Sequence, residues 1–198
     1  MLSIYILIFV TIFIVIFLFS SPKLSPIPYF PSQPVDLPLI VKALGLKNNQ
    51  TVIDLGAGDG IVIFEAAKSS YLKKFNTKFI AVEINPVLIL VLYLRRFFHP
   101  NKKNIQIVKD DIFKINIKNK ISKIKTTDQK LNIKTMKQLN NVTIYLYISP
   151  WFLEKTVSNI KSQISKFSVV SYMYPLKVKD IFTKVSAVKG KNKIFIYS

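Results

Sequence analysis

Ten consecutive residues constrain the fold of this chain more than any others: Thr51-Val52-Ile53-Asp54-Leu55, followed by Gly56-Ala57-Gly58-Asp59-Gly60. The first five are mostly β-branched or apolar, the composition of a short buried strand. Three glycines in the next five give the backbone a tight turn that a ligand can approach closely. Apolar residues then recur at helical spacing from Ile61 to Ser70. A strand that feeds a helix through a glycine turn opens a parallel α/β unit, with its ligand side at the carboxyl end of the strand. The spacing is not that of a dinucleotide fingerprint, because Ile61 stands where the third glycine is needed. Nor does a Gly-Lys-Ser/Thr follow for a P-loop.

The alternation continues downstream. Phe79 to Ile84 reads as a second strand; Asn85 is a natural N-cap and Pro86 a natural first helical residue, so a helix should run to about Phe98. Arg95 and Arg96 lie near its C-terminus, where the helix dipole favours cations. Ile105–Lys109 is a third strand, and Val142 to Ile148 is a near-continuous apolar run, the mark of a strand buried on both faces. Leu153 to Ile164 looks helical, Ser168 to Met173 is another strand, and Ile181–Val188 with Lys193–Tyr197 can close a hairpin. The expected class is α/β, a Rossmann-like sheet that is mostly parallel with an antiparallel C-terminal hairpin. Lys114 to Asn141 interrupts the rhythm with eight lysines and one acid, and reads as a solvated insertion in a domain spanning 39–198.

Acids stand at the tips of the first three strands. Asp54 lies beside the glycine turn. Glu83 ends the second strand, where a carboxylate can accept two hydrogen bonds from a ribose diol. Asp110 and Asp111 end the third, where an acid can accept from an adenine amino group. In register, these tips make an adenosine-shaped site at the carboxyl edge of the sheet.

The N-terminal region has a different character. Leu2 to Phe19 is an 18-residue run with no charge and only Ser3 and Thr11 polar. As a helix it spans about 27 Å, close to a hydrocarbon core. No basic residue precedes it and Ser20-Ser21-Pro22 is a poor cleavage site, so a retained anchor over residues 1–21 is expected rather than a signal peptide. Lys23 after the run places the rest of the chain on the cytoplasmic side, a single-pass membrane location with the lipid bilayer as partner through residues 2–19. Residues 22–38 hold six of the ten prolines and read as an extended, semi-rigid linker.

Composition excludes several chemistries. The absence of cysteine removes disulfides, thiolate metal sites and a cysteine nucleophile, and the single histidine, His99, rules out a multi-histidine metal centre. The net charge of +19 invites a nucleic-acid reading, but only Arg95 and Arg96 supply the guanidinium fork that favours phosphates and base edges. Base-biased coding accounts for much of the lysine, and an anionic leaflet is the alternative partner.

Val52-Ile53-Asp54-Leu55-Gly56-Ala57-Gly58-Asp59-Gly60, Ala81-Val82-Glu83 and Asp110-Asp111-Ile112-Phe113 resemble three motifs of the class I methyltransferases. The resemblance implies S-adenosylmethionine as cofactor. It implies Glu83 at the ribose, Asp111 with Ile112 at the adenine, and Asp54, Gly56 and Gly58 at the methionine end, with Gly60 closing the glycine motif. The lone apolar N-terminal segment, the Pro-rich lead-in, Val82-Glu83-Ile84-Asn85-Pro86 and Tyr145-Leu146-Tyr147-Ile148-Ser149-Pro150 are similar to a narrower group. It contains the protein-lysine methyltransferases of ATP synthase subunit c and the adenine nucleotide translocase. That likeness implies a lysine acceptor on a membrane-associated protein substrate. Two positions depart from it: the Lys-rich insertion precedes the fourth strand, and Asp110 stands where a small residue is usual.

Methyl transfer from a sulfonium needs alignment and exclusion of water rather than a catalytic histidine or cysteine. The acceptor side is expected at the fourth strand's tip, at Tyr147, Ser149, Pro150 and Trp151. The rival reading is a nucleic-acid methyltransferase. Those acting on exocyclic amines often carry Asn/Asp-Pro-Pro-aromatic here, and Ile148-Ser149-Pro150-Trp151 matches only the last two positions. A second rival is a non-catalytic membrane protein that retains the fold.

Overall fold

Alternation of side chains across extended backbone decides how the layers form. β1 (Thr51–Leu55) and β4 (Val142–Leu146) are buried at every position, as strands covered on both faces must be. β1 pairs in parallel with β4 on one side and with β2 (Lys78–Glu83) on the other. β3 (Ile105–Lys109) extends the sheet beyond β2, and β5 (Phe167–Tyr172) extends it beyond β4, both parallel. β7 (Lys193–Tyr197) pairs antiparallel with β5, and β6 (Val185–Lys189) antiparallel with β7 at the edge. The order is β3-β2-β1-β4-β5-β7-β6. The computed structural model describes residues 1–21, 27–123, 141–177 and 181–198, so most of the Lys-rich insertion, 124–140, lies outside the described residues.

Each face of the sheet has its own apolar layer. Val52, Phe79, Ala81 and Tyr145 point to the side covered by α2 (Leu37–Ala43) and α3 (Ile61–Leu72), through Ile40, Val62, Ile63, Ala66 and Ala67. Leu92 of α4 (Pro86–Phe98) completes that layer. Ile53, Leu55, Ile80, Val82, Ile144 and Leu146 point to the other side. They meet Ile117 and Ile121 of α5 (Ile117–Lys123) and Leu153, Val157 and Ile160 of α6 (Pro150–Lys161). Asn85 caps α4 as its position in the sequence requires, accepting from the amides of Val87 and Leu88.

The N-terminal region departs from expectation in two places. Leu2–Ser20 is a helix, α1, that touches α4. Yet among the described residues no helix is long and apolar enough to cross a membrane. The anchor over residues 1–21, and with it the single-pass membrane location with the domain on the cytoplasmic side, is thereby overturned. The Pro-rich stretch also enters the fold: Pro34–Asp36 is a 3₁₀ turn that leads directly into α2, with Pro38 in the first turn where its missing N–H costs nothing.

Asp36 ties that turn to the far edge of the sheet. Its buried carboxylate accepts from Tyr172 Oη at 2.6 Å and from the backbone amides of Lys191 at 2.7 Å and Asn192 at 3.0 Å. Gly190, beside these donors, leaves no room for a Cβ against the Asp36 carboxylate, so glycine is what lets the β6–β7 turn close onto it. Burial alone would raise this carboxyl's pKa. The hydrogen bonds from Tyr172, Asn192 and Lys191 outweigh it and hold the pKa below the ordinary carboxylate value. Because the folded value lies below the unfolded one, the ionised group stabilises the fold above about pH 4 and loses that contribution as pH falls through the folded value. Asp36→Asn is expected to cost about 2 kcal/mol at neutral pH, a lowering of the melting midpoint by roughly 4–8 °C. The gap to the wild type should narrow below the folded pKa, as thermal scans across pH would show.

Candidate active site

Glu83 organises the carboxyl edge of the sheet. Its Oε2 accepts from the Gly58 amide at 2.8 Å, and its Oε1 accepts from the amides of Ile84 at 2.8 Å and Asn85 at 2.9 Å. The side chain at the tip of β2 thus fixes the glycine turn after β1, while Gly56 and Ala57 donate to the Val82 carbonyl. Gly56, Gly58 and Gly60 all have positive φ, a conformation most side chains resist.

A cavity of about 60 Å³ opens over this turn, lined by Gly56, Gly58, Glu83, Asp111 and Ile112 with Ile84, Leu88, Tyr147 and Ile148. Residues 27–30 form its remaining wall. A neighbouring cavity holds Asp54 between Gly56 and Tyr145. Five of the eight residues assigned to a cofactor from sequence therefore line one cavity, and Asp54 lies next door. Asp110 does not: its Oδ1 accepts from the Asp111 amide at 2.9 Å and its Oδ2 pairs with Lys120 at 2.8 Å. Gly60 lies outside both cavities as the left-handed N-cap of α3, where a Cβ would strike Leu92 and Phe64. Ile27, Pro28, Tyr29 and Phe30 were not legible as site residues. Their only local signal is two aromatics and an isoleucine among prolines.

The electrostatics suit a cationic ligand. Burial, reinforced by the carboxylates of Glu83 and Asp59, holds the Asp54 carboxyl well above its usual range. A positive group beside Asp54 relieves that repulsion and restores the carboxylate. Five of the chain's ten acids (Asp54, Asp59, Glu83, Asp110 and Asp111) stand at this edge in a protein of net charge +19. An S-adenosylmethionine carries a sulfonium and an ammonium as well as a ribose diol, so these residues fit it in charge as well as in shape.

A second cavity of about 270 Å³ adjoins the first and shares Pro28, Phe30, Tyr147 and Ile148 with it. Ser149, Met173 and Tyr174 complete its lining. Met173 has a φ of +67°, and this left-handed residue turns the chain out of β5. Tyr147 Oη donates to Met173 Sδ at 3.3 Å, and burial, then the nearby Tyr174, raises its pKa, so it stays a neutral phenol with oxygen lone pairs to spare. Of the acceptor-side candidates, Tyr147 and Ser149 line this cavity. Pro150 is the first residue of α6, and Trp151 is 83% exposed and lines neither cavity.

Solved structures share this fold. An RNA methyltransferase from Salinibacter ruber, in complex with S-adenosyl-L-homocysteine, superposes with a TM-score of 0.59 at 15% identity, covering 85% of this chain and 92% of that one. A putative rRNA-methylase from Clostridium thermocellum gives 0.53 at 10% identity, over 84% and 97% of the two chains. The precorrin-6y C5,15-methyltransferase of Geobacter metallireducens gives 0.51 at 16%, over 85% and 91%. No curated protein matches the chain. Residues 33–178 match the family described as ribosomal RNA adenine dimethylase. Because that match takes in β1 to β5, the glycine turn and the strand-tip acids, the chain belongs to the ribosomal RNA adenine dimethylase family and is an S-adenosylmethionine-dependent methyltransferase.

Proposed function

We propose that this methyltransferase modifies an amino nitrogen of a nucleic-acid base, with RNA as the substrate class. The observation that carries the reading is the aromatic cavity beside the cofactor site, joined to membership of a family described by an RNA adenine substrate. Phe30, Tyr147 and Tyr174 offer flat apolar faces to a base taken out of its stack, and among the described residues no charged side chain lines the cavity. The excess of lysine supplies phosphate affinity over the rest of the chain.

The cofactor, when bound, supplies a methyl group on a sulfonium, already activated for displacement. In our assignment Glu83 accepts from the ribose diol, Asp111 with Ile112 receives the adenine, and Asp54 faces the ammonium end across Gly56 and Gly58. On the acceptor side, the lone pair of the amino nitrogen would bond the methyl carbon as the carbon–sulfur bond breaks, its electron pair staying on the neutral thioether that leaves, and the nitrogen's proton would pass to solvent. Tyr147 Oη, whose own proton is committed to Met173 Sδ, keeps lone pairs that can accept from that amino group, and Ser149 Oγ at the rim can do the same. Apolar walls exclude water from the transfer.

One observation favours a second acceptor class, the lysine side chain of a protein. Ile148 occupies the position at which exocyclic-amine methyltransferases often carry an Asn or Asp, so this cavity has no carboxamide or carboxylate there to hold a base amino group. A lysine must enter as the neutral amine, and an apolar cavity lowers its pKa in that direction.

Incubating full-length protein with radiolabelled S-adenosylmethionine and either total RNA or total cell protein separates the two. Label in RNA, released as a methylated amino nucleoside, is the expected result; label confined to lysine would overturn the RNA reading. Tyr147→Ala should lower acceptor turnover at least tenfold while leaving S-adenosylhomocysteine affinity within about threefold, since one positioned contact is worth about 1.4 kcal/mol or more. Glu83→Ala should weaken that affinity by about 2 kcal/mol, roughly thirtyfold, through loss of charge-assisted hydrogen bonds. Calorimetry that finds Glu83→Ala unchanged would remove Glu83 from the ribose.

A further inference from the structure

The turn out of β5 carries backbone strain that a glycine would avoid. Met173 has a φ of +67°, and the Tyr174 amide donates to the Tyr172 carbonyl at 2.9 Å, which closes a γ-turn around a left-handed residue. Residues other than glycine resist this conformation and keep it only where their surroundings hold them. Here the Met173 amide donates to the Lys193 carbonyl of β7 at 2.8 Å, and Ser171 Oγ donates to the Tyr174 carbonyl at 2.6 Å. A methionine therefore stands where glycine would bend freely, and what distinguishes the two is the thioether side chain.

That side chain meets Tyr147. Met173 Sδ accepts from Tyr147 Oη at 3.3 Å, and the Tyr147 and Tyr172 rings meet edge to face with centroids 4.9 Å apart. Two consecutive residues at the end of β5 thus hold one phenol, by its ring and by its hydroxyl. Tyr147 lines the cavity over the glycine turn, the cavity beside Asp54 and the acceptor cavity alike, so it stands at their junction. A thioether accepts a hydrogen bond but has nothing to donate. The polarity of the contact follows. The phenol proton goes to sulfur, and the oxygen lone pairs are what remain for the cavity. A hydroxyl partner could take either role and would leave the proton free to turn.

The direction of that proton matters to an amino acceptor. A nitrogen attacks through its lone pair, and a hydroxyl that donates to this pair stabilises the ground state and hinders attack. A hydroxyl that accepts an N–H instead leaves the pair free and aligned. We propose that Met173 is a positioning residue for methyl transfer. Its Sδ draws the Tyr147 proton away from the acceptor nitrogen, so Tyr147 receives a substrate N–H and the attacking lone pair stays free. The proposal rests on the assignment of an amino nitrogen to the cavity that Tyr147, Ser149 and Met173 line.

The test is steady-state methylation of total RNA by the full-length protein, with kcat and KM measured separately. Met173→Leu keeps the bulk of the side chain and removes the hydrogen-bond acceptor. It should lower kcat about tenfold without raising KM for RNA, and leave S-adenosylhomocysteine affinity within about threefold. Met173→Gln returns an acceptor oxygen at similar reach and should recover most of the loss. In a Tyr147→Phe protein, which has no hydroxyl to misdirect, adding Met173→Leu should change kcat by less than about twofold. An unchanged kcat in Met173→Leu overturns the proposal. So does a loss that Met173→Gln fails to recover, or one equally large beside Tyr147→Phe, since either marks a side chain that only fills space. A wild type that labels lysine in total cell protein and leaves RNA unlabelled overturns the RNA reading alone, and the same variants assayed on that acceptor then decide the role of Met173. A wild type that labels neither removes the acceptor role of Tyr147 and this proposal with it.

Discussion

The Glu83 carboxylate is the point on which the site depends. It receives three backbone amides from two different segments, the glycine turn after β1 and the start of α4. A carboxylate offers about four acceptor positions, so a single one remains, on Oε2, for anything that enters the cavity. One buried group therefore shapes the glycine turn, sets the entry of α4 through Asn85, and keeps one lone pair at the cavity wall. The parallel register of β1, β2 and β4 makes this possible. Asp54 pairs in register with Ala81 and Tyr145, so the three strands deliver their tips at one level and Glu83 reaches the turn of its neighbour.

What was legible in the sequence is what local pattern controls. Thr51–Leu55, Ile105–Lys109 and Pro86–Phe98 fall on their expected bounds, because β-branched runs, glycines and an Asn-Pro cap act over a few residues. The strand-tip acids were legible for the same reason, although their division of labour was not. Only the partner of Asp110, Lys120 on α5, shows that Asp110 turns away while Asp111 faces the cavity. The Ser32 contact and the Asp36 knot were illegible because their partners are remote: Ser32 meets Tyr145 across 113 residues, and Asp36 meets Tyr172 across 136. Read locally, residues 22–38 are merely rich in proline. The anchor failed differently. Apolar composition predicts a helix well, and Leu2–Ser20 is one, but composition alone did not establish a helix that crosses a bilayer among the described residues.

Charge is distributed in a way that the net figure hides. A chain of +19 would be a poor host for a sulfonium if its lysines were spread evenly. Half of its acids are instead gathered at the carboxyl edge of the sheet, and the nearest cations are already engaged. Arg95 is paired with Asp59 and Lys120 with Asp110. The carboxylate edge is thus insulated from the lysine-rich remainder of the chain.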